Sequence, residues 1–252
     1  MYNINDMHLE KFGAHFHGVT EESMSDYWVL DTIGDRTGGT FIEAGGSWPS
    51  TCINLEKYWG WRGKIFEPNN NNHNMIERVR DSPVYNNCIW KDNNGVEFIE
   101  PIDKHKGNIS YIEGCLSPIL KYEPDQLGET IRVVKGSITL NDIFEQDGWT
   151  HCNFVSLDIE GAEGQVITAW NHEKYSVDCL QLEGGHLHFD LLKYKGYTLV
   201  EQPFSRLSTC KSAPNSPRDS FDKFYINNNL LNSYKHRIFE QLDDYFKWCE
   251  HG

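Results

Sequence analysis

The chain has 252 residues, room for one large α/β domain or two small ones with a core that needs no cross-links. Its 37 acidic against 23 basic residues give a formal charge of −14, which repels a phosphate backbone and sets nucleic acid aside as a partner. Seven cysteines with no C-x-x-C pair, and no apolar run of the ~18 residues a membrane span requires, predict a soluble, cytoplasmic protein with reduced thiols and no membrane contact.

Residues 1–39 are read as an N-terminal extension that packs on the domain. From Thr40 to Asn227, short β-branched or aromatic runs alternate with stretches of helical period, the pattern of βαβ units around a mainly parallel sheet. Strands are expected at Thr40–Ala44, Lys64–Glu67, Val84–Trp90, Asn153–Asp158, Asp178–Glu183, Tyr197–Gln202 and Lys223–Asn227. Between the first two, Cys52, Leu55 and Tyr58 or Trp59 recur at helical spacing behind Ser50, a residue able to cap a helix start. After Glu67, the polar run Asn69 to Asn72 opens a second helix with Met75, Ile76 and Val79 as its apolar stripe.

The alternation breaks over about 92–143, read as an insertion with a hairpin near Asp92–Gly95 and short strands at Ile109–Ile112 and Arg132–Val134. The Ser- and Pro-rich stretch Pro203–Ser220 is long enough to act as a substrate lid. Over 228–252, Leu231, Tyr234, Ile238, Leu242 and Tyr245 give an amphipathic C-terminal helix, which packs on the sheet or makes a homodimer contact.

The first strand ends in Glu43-Ala44-Gly45-Gly46 and turns into a helix. Glycines there remove the Cβ atoms that would keep a ligand away from the backbone. Glu67 follows Gly45 by 22 positions, the spacing at which an acid at the end of the next strand meets ribose hydroxyls. A dinucleotide would need further glycines for its pyrophosphate, but Trp48 and Pro49 stand there and Glu43 would repel phosphate. S-adenosylmethionine has no phosphate and carries two cationic groups, so the same acid favours it over NAD. The expected cofactor residues are Glu43, Ala44, Gly45, Gly46, Ser50, Glu67, Pro68, Ile89 and Trp90.

Taken together, FIEAGGSWPSTCINLEKYWGWRGKIFEPN, SITLNDIF and NFVSLDIEGAEGQVI resemble the FkbM family of methyltransferases, whose D-x-E-G-x-E signature falls here on Asp158, Glu160, Gly161 and Glu163. The resemblance runs from Thr40 to Asn227 and departs in the first turn, EAGGSWPS. It implies a Rossmann-like class I methyltransferase fold: a three-layer sandwich around a seven-stranded, mostly parallel sheet whose last strand is antiparallel. It also implies S-adenosylmethionine as donor and O-methylation of a sugar, glycan or small-molecule hydroxyl.

Asp158 and Glu160 stand at a strand's carboxyl end, where two acids need a cation or a hydrogen-bonding ligand, so both are catalytic candidates. Glu163 falls in the first helical turn, where the helix dipole alone accounts for it. Glu183 ends another strand with His186 just beyond. Asp158, Glu183 and His186 form a candidate set for a divalent metal ion, the alternative being metal-free catalysis with His186 as general base. Two other readings stay open: a nicotinamide-dependent oxidoreductase, and a non-catalytic binding or assembly protein that keeps the fold.

Overall fold

The computed structural model describes residues 25–34, 37–46, 51–102, 110–115, 129–203 and 222–251, with the backbone alone at 185, 186 and 249–251. After helix α1 (Ser25–Ile33), strand β1 (Thr40–Ala44) leads through α2 (Ile53–Trp59) to β2 (Arg62–Phe66), then through α3 (Asn70–Glu77) to β3 (Val84–Tyr85). Strands β4 (Cys88–Ile89), β5 (Val96–Pro101), β6 (Tyr111–Ile112), β7 (Thr130–Lys135) and β8 (Ser137–Ile138) come before α4 (Leu140–Gln146). The chain returns through β9 (His151–Leu157), α5 (Glu163–Ala169), β10 (Ser176–Glu183), a 3-10 turn (Gly185–His188) and α6 (Phe189–Tyr194). It ends with β11 (Tyr197–Val200), β12 (Asp222–Asn227), β13 (Ile238–Phe239) and α7 (Leu242–His251).

The main sheet has the order β13-β11-β12-β10-β9-β1-β2-β3. Its half from β3 to β10 is parallel, whereas β12 runs antiparallel to both β10 and β11. The expected antiparallel strand over Lys223–Asn227 is therefore present. Among the described residues the strand count is eight rather than seven, because β13 adds an antiparallel edge beside β11. That strand also shortens the helix expected over 228–252, which forms only from Leu242 to His251. Apolar residues three or four apart satisfy a turn followed by a short strand as readily as a helix, so the spacing there was ambiguous.

Two apolar layers sandwich this sheet. One buries Leu140, Ile143, Phe144, Val166, Ile167 and Leu192 from α4, α5 and α6 against Ile42, Val155 and Leu180. The other buries Trp28, Val29, Leu55 and Ile76 from α1, α2 and α3 against Phe41, Ile65, Phe154 and Phe224. Asn69 caps α3 by accepting from the Asn71 and Asn72 amides, as its sequence position suggests. On that helix only Ile76 is buried. Met75 and Val79 are 47% and 37% exposed, so the predicted stripe is narrower than read.

The expected strand Val84–Trp90 divides. β3 stays on the main sheet, and β4 leaves it to pair in parallel with β8. No hairpin closes over Asp92–Gly95, since β5 pairs antiparallel with β6 and β7 instead of with β4. Ser50 and almost all of the Pro203–Ser220 stretch lie outside the described residues. Among those described, no helix is long and apolar enough to cross a membrane.

Candidate active site

The carboxyl ends of β1, β2 and β9 meet at the turn after β1. Gly45 has φ 77° and donates its N–H to the Phe66 carbonyl at 3.0 Å, while Asp158 donates to the Ala44 carbonyl at 3.1 Å. This close approach opens a pocket of roughly 590 Å³, a volume that includes the open solvent at its mouth. Of the predicted residues it is lined by Ala44, Gly45, Glu67, Pro68, Ile89, Asp158 and Glu160. Phe66, Asn72, Cys88, Phe98, Ser110, Ile112 and Ile159 complete the wall, three of them, Phe98, Ser110 and Ile112, from the inserted segment. No Lys, Arg or His lines the pocket among the described residues.

Glu67 sits just beyond β2 and is 4% exposed. Its carboxylate accepts from the Asn69 amide at 2.7 Å, and its carbonyl, with that of Pro68, accepts from the Asn86 side chain. Burial pushes its pKa up to about 7, against the pull of hydrogen bonds from Asn69 and Asn72 and with the help of the nearby Asp158 and Glu100.

Glu43 does not face this pocket. Its carboxylate accepts from the amides of Thr51 at 2.6 Å and Cys52 at 3.4 Å, capping the approach to α2, and pairs with Arg80 at 3.1 Å. The charge read as available to a cationic ligand is thus bound up inside the protein. Gly46 packs against Ile65, where an added Cβ would come within 2.8 Å. Trp90, displaced by the break after β3, packs against the small cluster of Cys88, Val96, Phe98 and Ile112 instead of lining the cavity.

Asp158, Glu160 and Glu183 bring one carboxylate oxygen each within 4.8 Å of one another. Glu160 holds a left-handed φ of 57°, a strained conformation that turns its side chain at the strand end. Oε2 of Glu160 and Oε2 of Glu183 are buried with no hydrogen-bond partner among the described residues. Burial first, then Asp158 and Glu163, push Glu160 up to about 8. Burial together with Asp158, Glu160, Glu163 and Asp222 pushes Glu183 up to about 11.

Glu163 opens α5 and accepts from the Ile159 amide at 2.8 Å, a structural role that suits its place in the first turn. Of the predicted metal set, Asp158 and Glu183 come together and Glu160 joins them. His186 follows Glu183 in the 3-10 turn, its side chain outside the described residues. His188 packs over Gly164, where a Cβ would lie 2.4 Å from the ring.

These raised carboxyls make stability depend on pH. Glu67, Glu160 and Glu163 ordinarily titrate near 4.5 but reach about 7, 8 and 8 in the folded chain. The folded state holds protons that the unfolded state releases, so their stabilisation is complete below pH 4.5 and lost as pH climbs through 7 to 8. In a chelating buffer the melting temperature is expected to fall between about pH 4.5 and 8. A flat profile across that window, read by calorimetry, would contradict the burial of these acids.

The methyltransferase FkbM domain matches residues 13–194 of the chain. No curated protein and no solved structure matches it. With most of its length spanned by that domain, the chain belongs to the FkbM methyltransferase family.

Proposed function

We propose that the chain transfers a methyl group from S-adenosylmethionine to a hydroxyl of a sugar, glycan or other small molecule. The observation that carries this reading is the pocket in which Glu67 of one strand end and Asp158 and Glu160 of another share one cavity, with no cationic side chain among the described residues that line it. Such a lining suits a nucleoside that bears positive charge and no phosphate. A bound donor supplies an electrophilic methyl group on a sulfonium, so the protein has to hold, align and deprotonate.

Glu67 accepts the ribose hydroxyls, and Ile89, Phe98 and Ile112 give the base an apolar wall. At the other end Asp158 or Glu160 takes the proton of the acceptor hydroxyl. As the oxygen–methyl bond forms and the sulfur–methyl bond breaks, S-adenosylhomocysteine leaves. His186 is the alternative base. The expected location is the cytoplasm, and a homodimer remains compatible with this reading.

A divalent ion held by Asp158, Glu160 and Glu183 is favoured by the two buried carboxylate oxygens that lack partners among the described residues. It would favour the ionised forms of Glu160 and Glu183 and would polarise the hydroxyl. Manganese added to chelator-treated protein at pH 8 is expected to raise the melting temperature, and Glu183→Gln to abolish that rise. An unchanged melting temperature in the wild type removes the metal from the mechanism.

Calorimetric titration with S-adenosylhomocysteine tests the donor site. Micromolar binding is expected, weakened about tenfold or more by Glu67→Ala through loss of charge-assisted hydrogen bonds. Absence of binding by folded wild-type protein would favour a non-catalytic module. Protection by NADH in its place would restore the oxidoreductase reading.

A further inference from the structure

The inserted sheet reaches the pocket through one buried cation. Lys135, the last residue of β7, keeps its side chain 8% exposed, donates from its ammonium to Asn70 Oδ1 at 3.0 Å and Asn86 Oδ1 at 3.1 Å, and forms an ion pair with Glu100 at 3.1 Å. With its oxygen held by the ammonium, the Asn86 amide group points the other way and donates to the carbonyls of Glu67 at 3.1 Å and Pro68 at 3.0 Å. Asn70 begins α3, the helix that follows the same turn.

We propose that Lys135 is a positioning residue for the donor site: through Asn86 and Asn70 it fixes the turn that presents the Glu67 carboxylate to the ribose. The proposal rests on the reading of the pocket as a donor site. Lys135 touches no ligand in it, since neither Lys135 nor Asn86 lines the cavity. Its charge acts in the same direction as its hydrogen bonds. Glu100 is one of the carboxylates that push Glu67 toward its protonated, poorly accepting form, and Lys135 neutralises Glu100. The insertion therefore contributes more to the pocket than the apolar wall of Phe98 and Ile112: it sets the strand-end turn of the main sheet.

The test is a cycle between residue and ligand. Affinities for S-adenosylhomocysteine and for its 2′-deoxy analogue are measured calorimetrically on the wild type, Lys135→Met and Asn86→Ala. The wild type is expected to prefer the ribose form about tenfold, the worth of a charge-assisted hydrogen bond. Both variants are expected to reduce that preference to about twofold while binding the deoxy analogue nearly as the wild type does. A merely structural Lys135 would weaken both ligands equally and keep the preference, and that outcome overturns the proposal. Should Lys135→Met fail to fold, Asn86→Ala decides alone, because it removes the two bonds to the turn and leaves no charge unpaired. A wild type that binds neither ligand, or both equally, refutes the ribose contact itself and with it this role for Lys135.

Discussion

Arg80→Met is expected to lower the stability of the fold by about 3–5 kcal/mol, the range seen when one partner is removed from a buried ion pair. The Arg80 side chain has no exposure, and its guanidinium pairs with two acids that are equally enclosed, Glu43 at 3.1 Å and Glu56 at 3.1 Å. Methionine keeps the aliphatic volume but leaves both carboxylates without their cation. Backbone amides soften the loss, since Glu56 also accepts from Asp81 and Ser82, and Glu43 from Thr51 and Cys52. For a chain of this size the change corresponds to a melting temperature roughly 10 °C lower.

The difference should shrink in acid. Burial raises the Glu56 pKa, but Arg80, Ser82 and Asp81 together hold it below its usual value. A carboxyl lowered in this way contributes stability above its unfolded pKa and loses it as pH falls through the folded value. Adding Glu43→Gln and Glu56→Gln to Arg80→Met should recover much of the loss, because no charge is then stranded. A single Arg80→Met variant within about 1 kcal/mol of the wild type in denaturant titration would mean that the three side chains are wetter than their burial implies.

This network also marks where sequence reading ran out. Glu43 stood at a strand end beside two glycines, so its type and position alone made it a ligand residue. Its partner lies 37 positions away in a turn, and only the packing of α2 and α3 on the sheet brings the two together. The strand ends themselves were legible. β1, β9 and β10 are runs of buried residues closed by Gly45, Asp158 and Glu183, and parallel pairing of such strands places their ends in one row. With β2 parallel to β1, the same geometry brings Glu67 to the row that holds Asp158 and Glu160.

Trp90 failed for the opposite reason. A seven-residue strand was expected where two short ones occur, with β4 turned away to pair with β8. The missed wall residues carried only a partial signal: Val96 and Phe98 enter the small cluster with Glu97 exposed between them, but Ile99, Glu100 and Pro101 are all buried and end the alternation. What the sequence did not contain was the docking of that strand over the pocket.

Gly45→Ala is expected to abolish donor binding, by at least about a hundredfold, and to destabilise the domain by about 3 kcal/mol or more. Two effects add at this position. The left-handed φ of 77° alone costs a non-glycine residue about 1–2 kcal/mol. An added Cβ would also lie 1.7 Å from the carbonyl oxygen of Asp158, a backbone atom that no rotamer change can move. The clash is relieved only if β1 and β9 part at their ends, which breaks the bond from the Asp158 amide to the Ala44 carbonyl and carries Asp158 away from Glu67.

Gly60→Ala is the matching control: its φ of 63° is also left-handed, but nothing lies within 4 Å of the added carbon. It should cost only about 1 kcal/mol and leave S-adenosylhomocysteine binding intact. If both variants lose stability equally and both still bind, the turn after β1 is a generic bend and the pocket is shaped elsewhere. If Gly45→Ala alone loses binding while its circular dichroism stays native, then the contact between that turn and Asp158 is what holds the two halves of the site in register.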